Sequence, residues 1–154
     1  MADTPRIDGE RIERRARRCG RGSVPLVDGN LPLFAAVPGA EHQTFGPVEI
    51  DIVRVGDARI KRSIYPAGLR WSVDLRPLIG TDDCRHAHVG FLAHGALHFQ
   101  YADGCDVDVM APAVLDIAPG HDAWVQGDEP AVVIEVDYEA DTVARLDVAD
   151  EHRH

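Results

Sequence analysis

Disulfide chemistry is the first thing this sequence is poorly equipped for. Its three cysteines, Cys19, Cys84 and Cys105, are irregularly spaced over 154 residues, and no Cys-x-x-Cys pair occurs. Such spacing does not build a disulfide framework, so a reducing compartment is the default expectation. No apolar run approaches the roughly 18 residues of a membrane span, and the N-terminus carries no apolar segment ahead of a small-residue cleavage site. Cytoplasmic residence is the simplest expectation. Lysine is almost missing, with Lys61 the only one, and the formal net charge is −10. That balance argues against nucleic acid, whose phosphates need clustered Lys and Arg. It argues equally against an anionic membrane surface. No Walker loop, G-x-G-x-x-G or G-x-S-x-G occurs, so nucleotide hydrolysis, dinucleotide chemistry and an elbow serine are not expected.

What is present fits one soluble domain of ordinary apolar content. Residues 1–46 read as an N-terminal arm and loop. Arg11, Arg14, Arg15, Arg17 and Arg18 crowd the arm, which could dock on an acidic partner or a second subunit. Pro25, Gly29, Pro32, Pro38, Gly39 and Gly46 then punctuate a loop. Residues 47–138 read as a barrel of short strands: 48–53, 58–65, 71–75, 87–93, 96–101, 107–109, 114–117, 123–126 and 131–136. Val48 to Val53 alternates apolar and polar, the period-2 signal of a half-buried strand. Turn residues interrupt the runs at short intervals, and Asp103-Gly104 is a strong hairpin signal because Gly accepts the positive φ of a tight turn. Residues 139–154 read as a tail with a short helix over 141–150. The pattern is all-β, a sandwich, jelly roll or barrel. Asp103, Asp106 and Asp108 lack the twelve-residue loop and terminal Glu of a calcium site, and read as a solvated hairpin face.

Chemistry concentrates in Cys84-Arg85-His86-Ala87-His88. Residues two apart share one face of a strand, so an extended segment sends Cys84, His86 and His88 to the same side. Thiolate and imidazole are preferred ligands of zinc and other borderline transition metals. A further ligand must come from elsewhere, and His121, after Pro119-Gly120, is the obvious candidate. The bland alternative is a set of hydrogen-bonded, metal-free histidines. His94 and His98 read as rim or surface residues. Trp71 and Trp124 read as core aromatics, or as walls of a ligand pocket in a barrel mouth. Arg70 is a candidate grip for an anionic substrate, and Tyr65 and Tyr101 are candidate pocket hydroxyls.

Three pieces resemble the cupin superfamily. Cys84 to Gly95 resembles its first motif, Asp103-Gly104 is like the turn that follows, and Asp116 to Trp124 with Gly127-Asp128-Glu129-Pro130 resembles its second motif. The resemblance spans roughly Val48 to Tyr138. It implies a double-stranded β-helix (jelly-roll) barrel with a divalent transition metal (zinc, iron, nickel or copper) in its mouth, and a homodimer. Counted back from Gly95, His88 stands where the first motif has Glu, Cys84 and Asp82 stand where it has His, and His121 precedes the second-motif position by two residues. The usual three-His-one-Glu set therefore does not transfer residue by residue. The implied metal ligands are His88 and His121, then His86, then Cys84, with Trp71, Trp124, Arg70 and Tyr101 toward a small-molecule ligand. Three functions compete: a metal-binding small-molecule enzyme, a non-catalytic sensor or binding module, and a purely structural barrel.

Overall fold

The structure, a computed structural model, describes residues 33–149 and 152. The Arg-rich arm lies outside the described residues. Among the described residues, nine antiparallel strands form two sheets. They are β1 (Glu41–Phe45), β2 (Val48–Val55), β3 (Ala58–Tyr65), β4 (His88–His94), β5 (Ala96–Tyr101), β6 (Asp106–Met110), β7 (Ala113–Ile117), β8 (His121–Gln126) and β9 (Ala131–Asp137). One sheet has the order β1-β2-β3-β9-β4-β7, the other β6-β5-β8. Both contribute to a single core: Val48, Leu92, Leu115, Ile117 and Val133 from the larger sheet, Leu97, Phe99 and Val125 from the smaller. The neighbouring order β3-β9-β4 joins the last strand between early ones, so the sheet closes only when the chain returns. This is the jelly-roll barrel that the strand pattern and the resemblance predict.

Strand β9 shows the alternation that makes a barrel wall. Ala131, Val133, Glu135 and Asp137 are buried, while Ile134 between them is exposed. Two carboxylates thus point inward with the apolar residues of the same face. Gly90 of β4 lies directly opposite Glu135. A Cβ on Gly90 would fall 2.0 Å from the backbone oxygen of Ile134, so only glycine lets the two strands approach this closely.

Outside the sheets the sequence pattern misleads at one place. Residues 71–75, expected as a strand, form a π-helical turn, Trp71–Leu75, that runs into the short helix Arg76–Ile79. A strand would put Trp71, Val73 and Leu75 on one face, yet Val73 is 65% exposed while Trp71 and Leu75 are buried. A spacing of four is the helical signature. The turn is closed locally, since Asp74 accepts the Arg70 N–H at 2.8 Å and donates its own N–H back to the Arg70 carbonyl at 2.8 Å. Pro77 suits the first turn of the helix that follows, and Gly80 ends it in the left-handed region at φ 82°. The C-terminal helix is shorter than expected, Thr142–Leu146, because Asp147 adopts a left-handed φ of 52°.

Ahead of β2, the loop expected through residue 46 contains β1, which pairs along β2. Residues just before β1 are pinned to the larger sheet by a buried ion pair. Asp51 and Arg62 face each other across β2 and β3 and are hydrogen-bonded. Arg62 also donates to the carbonyls of Leu33 (3.0 Å) and Ala35, and Asp51 accepts the Val37 N–H at 2.8 Å and bonds His42 Nδ1 at 2.8 Å. Burial alone would raise the Asp51 carboxyl, but those bonds and the Arg62 charge outweigh it and hold the group below its ordinary range. No helix among the described residues is long and apolar enough to cross a membrane.

Candidate metal centre

Two backbone contacts bring the cysteine stretch to the second histidine turn. The Cys84 N–H donates to the His121 carbonyl at 2.9 Å, and the Gly120 N–H donates to the Cys84 carbonyl at 2.7 Å. Gly120 holds a φ of 93°, which lets Pro119-Gly120 turn the chain sharply into β8. Cys84, His88 and His121 then converge, their Sγ and ring nitrogens all within 4.8 Å of one another. The sulfur lies 3.8 Å from His88 Nε2.

Each imidazole is held from behind. His121 Nδ1–H donates to the Ala118 carbonyl at 2.8 Å, because that acceptor can only receive a proton. Its Nε2 is left buried with no hydrogen-bond partner. His88 Nδ1 is hydrogen-bonded to Glu135, which turns Nε2 toward the sulfur. A carboxylate or carbonyl on the far nitrogen is the usual support of a metal-ligating histidine, since it fixes the tautomer and raises ligand basicity. Tyr101 adds to this frame by donating its hydroxyl to the same Ala118 carbonyl at 3.1 Å.

Electrostatics prepares the sulfur. Burial would push the Cys84 thiol up, but the neighbouring His121 and His88 imidazoles bring it down to about 5. Burial would lower His88, yet the Glu135 charge and the Cys84 hydrogen bond push it up to about 10. Burial likewise opposes the Glu135 carboxylate, and the charge of His88 outweighs it and holds the group well below its ordinary range. Without a bound cation, Cys84, His88 and Glu135 at neutral pH are thiolate, imidazolium and carboxylate. A metal ion would replace the shared proton, as ligand sites generally release protons on binding.

A second grouping, His86, His88 and Glu135, also brings three ligand atoms together. Its cation is already there. The Lys61 ammonium donates to His86 Nε2 at 3.1 Å and lies 2.6 Å from Asp137 and 3.4 Å from Glu135. Lys61 and Glu135 are cross-strand partners on β3 and β9. His86 therefore sits beside the Cys84 trio, its ring 4.9 Å from that of His88, while its nitrogen is committed to Lys61.

The trio opens into a cavity of about 210 Å³ lined by both sheets and by the Trp71–Leu75 turn. Trp71 and Trp124 lie in its wall, as does Tyr65. Arg70 and Tyr101 are not in the lining. The Arg70 guanidinium is committed to Asp122 at 2.9 Å and stacks 4.4 Å from the Trp124 ring centroid. Tyr101 supports His121 instead. His98 is buried rather than at the rim, bonded to Asp108 at 2.7 Å and stacked on Trp124 at 4.0 Å. Glu135, Asp137 and Lys61 were not legible as site residues. The available signal was two acids placed two apart on the inward face of an otherwise apolar strand, where a charge must have a partner.

No family model and no curated protein matches the chain. Three solved structures are similar to parts of it. AerE from Microcystis aeruginosa is 16% identical, with a TM-score of 0.47 over 63% of this chain and 44% of that one. CapF, solved with the inhibitor 3-isopropenyl-tropolone, is 14% identical, with a TM-score of 0.42 over 63% of this chain and 30% of that one. The EutQ protein of Clostridium difficile is 15% identical, with a TM-score of 0.42 over 69% of this chain and 73% of that one. The chain thus spans less than half the length of the first two. The strand order and the shared core carry the fold assignment. The barrel is a jelly roll.

Proposed function

We propose that this barrel is a mononuclear transition-metal protein that takes a small molecule into its cavity. Cys84 Sγ, His88 Nε2 and His121 Nε2 are its ligands. The observation that carries the reading is the buried, unpartnered His121 Nε2 facing a thiolate and a second supported imidazole. Three protein ligands with one position left open is the composition of a reactive zinc site rather than a closed structural one. Sulfur and imidazole donors also favour zinc, iron, nickel or copper over magnesium or calcium. Bound there, the ion would supply Lewis acidity toward a molecule entering from the cavity. The protein's part is to hold both imidazoles by their far nitrogens, keep Cys84 ionised, and exclude water with apolar walls.

Cobalt substitution tests the ligand set. Cobalt-loaded wild type should show an intense thiolate-to-cobalt absorption band, and Cys84→Ser should lose it while still folding. Cobalt uptake with no such band would remove Cys84 from the centre.

A metal-free reading rests on the same sulfur. The Cys84 thiolate beside the His88 imidazolium resembles an activated thiol. It predicts rapid alkylation of Cys84 that added zinc leaves unchanged. The metal reading predicts that stoichiometric zinc protects the thiol.

A further inference from the structure

The cavity's own chemistry narrows what can enter it. Building on the metal-centre reading for the orientation of the head group, we propose that the occupant is an uncharged aromatic molecule of roughly eight to ten non-hydrogen atoms. It carries one ligating or hydrogen-bonding head, and carboxylates and phosphates are excluded.

The walls carry the first half of this inference. Phe45, Tyr65, Trp71, Phe99 and Trp124 supply aromatic surface, and Ile50, Leu69, Leu97, Leu115 and Val133 supply aliphatic surface. Among the described residues, no Arg, Lys, Asp, Glu, Asn, Gln, Ser or Thr is in the lining. Apart from the Tyr65 hydroxyl, the polar side-chain groups in the described wall are Cys84, His86, His88 and His121 together with the Trp indoles; Cys84, His88 and His121 are gathered at the metal centre and His86 lies beside it. A ligand entering here therefore meets a polar group chiefly at one end.

Charge supplies the second half. Among the described residues, Arg70 and Lys61 stay out of the lining and are already spent, Arg70 on Asp122 and Lys61 on Asp137 and Glu135. An anionic ligand would lose its hydration and gain no free cation in return, which is the costly case of charge burial.

Size and access set the limits. An apolar cavity of about 150 Å³ is enough to hold benzene, and this one is about 210 Å³. That difference admits a fused bicycle or a substituted ring. Leu115, Val133 and Phe99 form a floor no more than 2% exposed, while Phe45 and Ile79 are 38% and 46% exposed and mark the open end.

The test is fluorine NMR with the equal-sized pair 4-fluorobenzamide and 4-fluorobenzoate, titrated into full-length wild type in zinc-loaded and metal-free forms. The neutral probe should bind, with the carboxylate weaker by about tenfold or more. Two variants fill the cavity from opposite walls, Ala123→Leu on β8 and Val133→Phe on β9, so that one serves if the other misfolds. Each folded variant should weaken the neutral probe by about tenfold. Equal binding of the carboxylate, or unchanged binding in the filled variants, overturns the proposal. Zinc uptake without binding of either probe overturns it and leaves the metal centre standing. Binding of the neutral probe by a protein that takes up no metal upholds the cavity's specificity and overturns the metal reading instead.

Discussion

Glu135 and His88 meet across two neighbouring strands, the carboxylate of β9 holding the Nδ1 side of the β4 imidazole while its Nε2 turns to the Cys84 sulfur. The pair ties the barrel wall to the candidate metal centre. Glu135 touches no metal position itself, yet it sets which face of His88 is offered.

Replacing Glu135 with Gln keeps the shape and removes the charge. The variant should bind zinc about 10- to 100-fold more weakly than wild type, the usual cost of losing such a support. Competition against a chromophoric chelator reads this directly. An unchanged affinity would mean that His88 is oriented by something other than Glu135.

Lys61 is predicted to act as a built-in cation. Its removal in Lys61→Ala leaves Glu135 and Asp137, both essentially inaccessible, short of a partner. Breaking a buried pair in this way costs about 3 kcal/mol. Denaturant unfolding of the metal-free protein should show that loss, and added zinc should partly restore stability by occupying the vacated grouping. Wild-type stability in the variant would place Lys61 on the surface energetically, whatever its contacts.

Gly90 and Gly104 should respond differently to the same change. At Gly90 a Cβ would strike the β9 backbone at 2.0 Å, whereas at Gly104 it would meet nothing within 4 Å. Gly90→Ala should therefore cost about 3 kcal/mol or prevent folding. Gly104→Ala should cost only the strain of its positive φ, about 1 to 2 kcal/mol. Similar costs at both positions would show that the β4–β9 approach is looser than described.

The Asp51 staple gives a signed pH dependence. Its carboxyl is held below its ordinary value of 3.8, so its stabilising contribution is present above that value. It is lost as pH falls through the lower folded value. Asp51→Asn should be less stable than wild type near neutrality, and the gap should close as the pH is lowered below about 4. A gap that stays constant down to pH 2 would show that Asp51 is not ionised in the fold.

Much of the fold can be read along the chain because strands obey local rules. Alternation marked the barrel strands, and Pro119-Gly120 announced the turn that presents His121. The cluster in Cys84-Arg85-His86-Ala87-His88 pointed to the right region for the same reason. What local reading could not supply was register. Glu135 stands 47 residues from His88, and Arg59 stands 78 from Asp137, so their pairing is fixed only when the strands align. His86 and Cys84 looked equivalent as alternate residues of one strand. The structure separates them because β4 begins only at His88, and the irregular stretch before it sends one side chain to Lys61 and the other to His121. Arg70 looked free because its partner, Asp122, is distant in sequence. Trp71 to Leu75 looked like a strand because its apolar residues fit a period of two as well as a spacing of four, and only burial of the first and last decides between them.

Metal content of tag-free protein, measured in wild type and in Cys84→Ala, His88→Ala and His121→Ala, tests the central claim most directly. The account predicts about one equivalent of a transition metal in wild type and its loss from each of the three variants, with each shown to be folded. No metal in wild type after reconstitution with zinc, or full retention in all three variants, would contradict it.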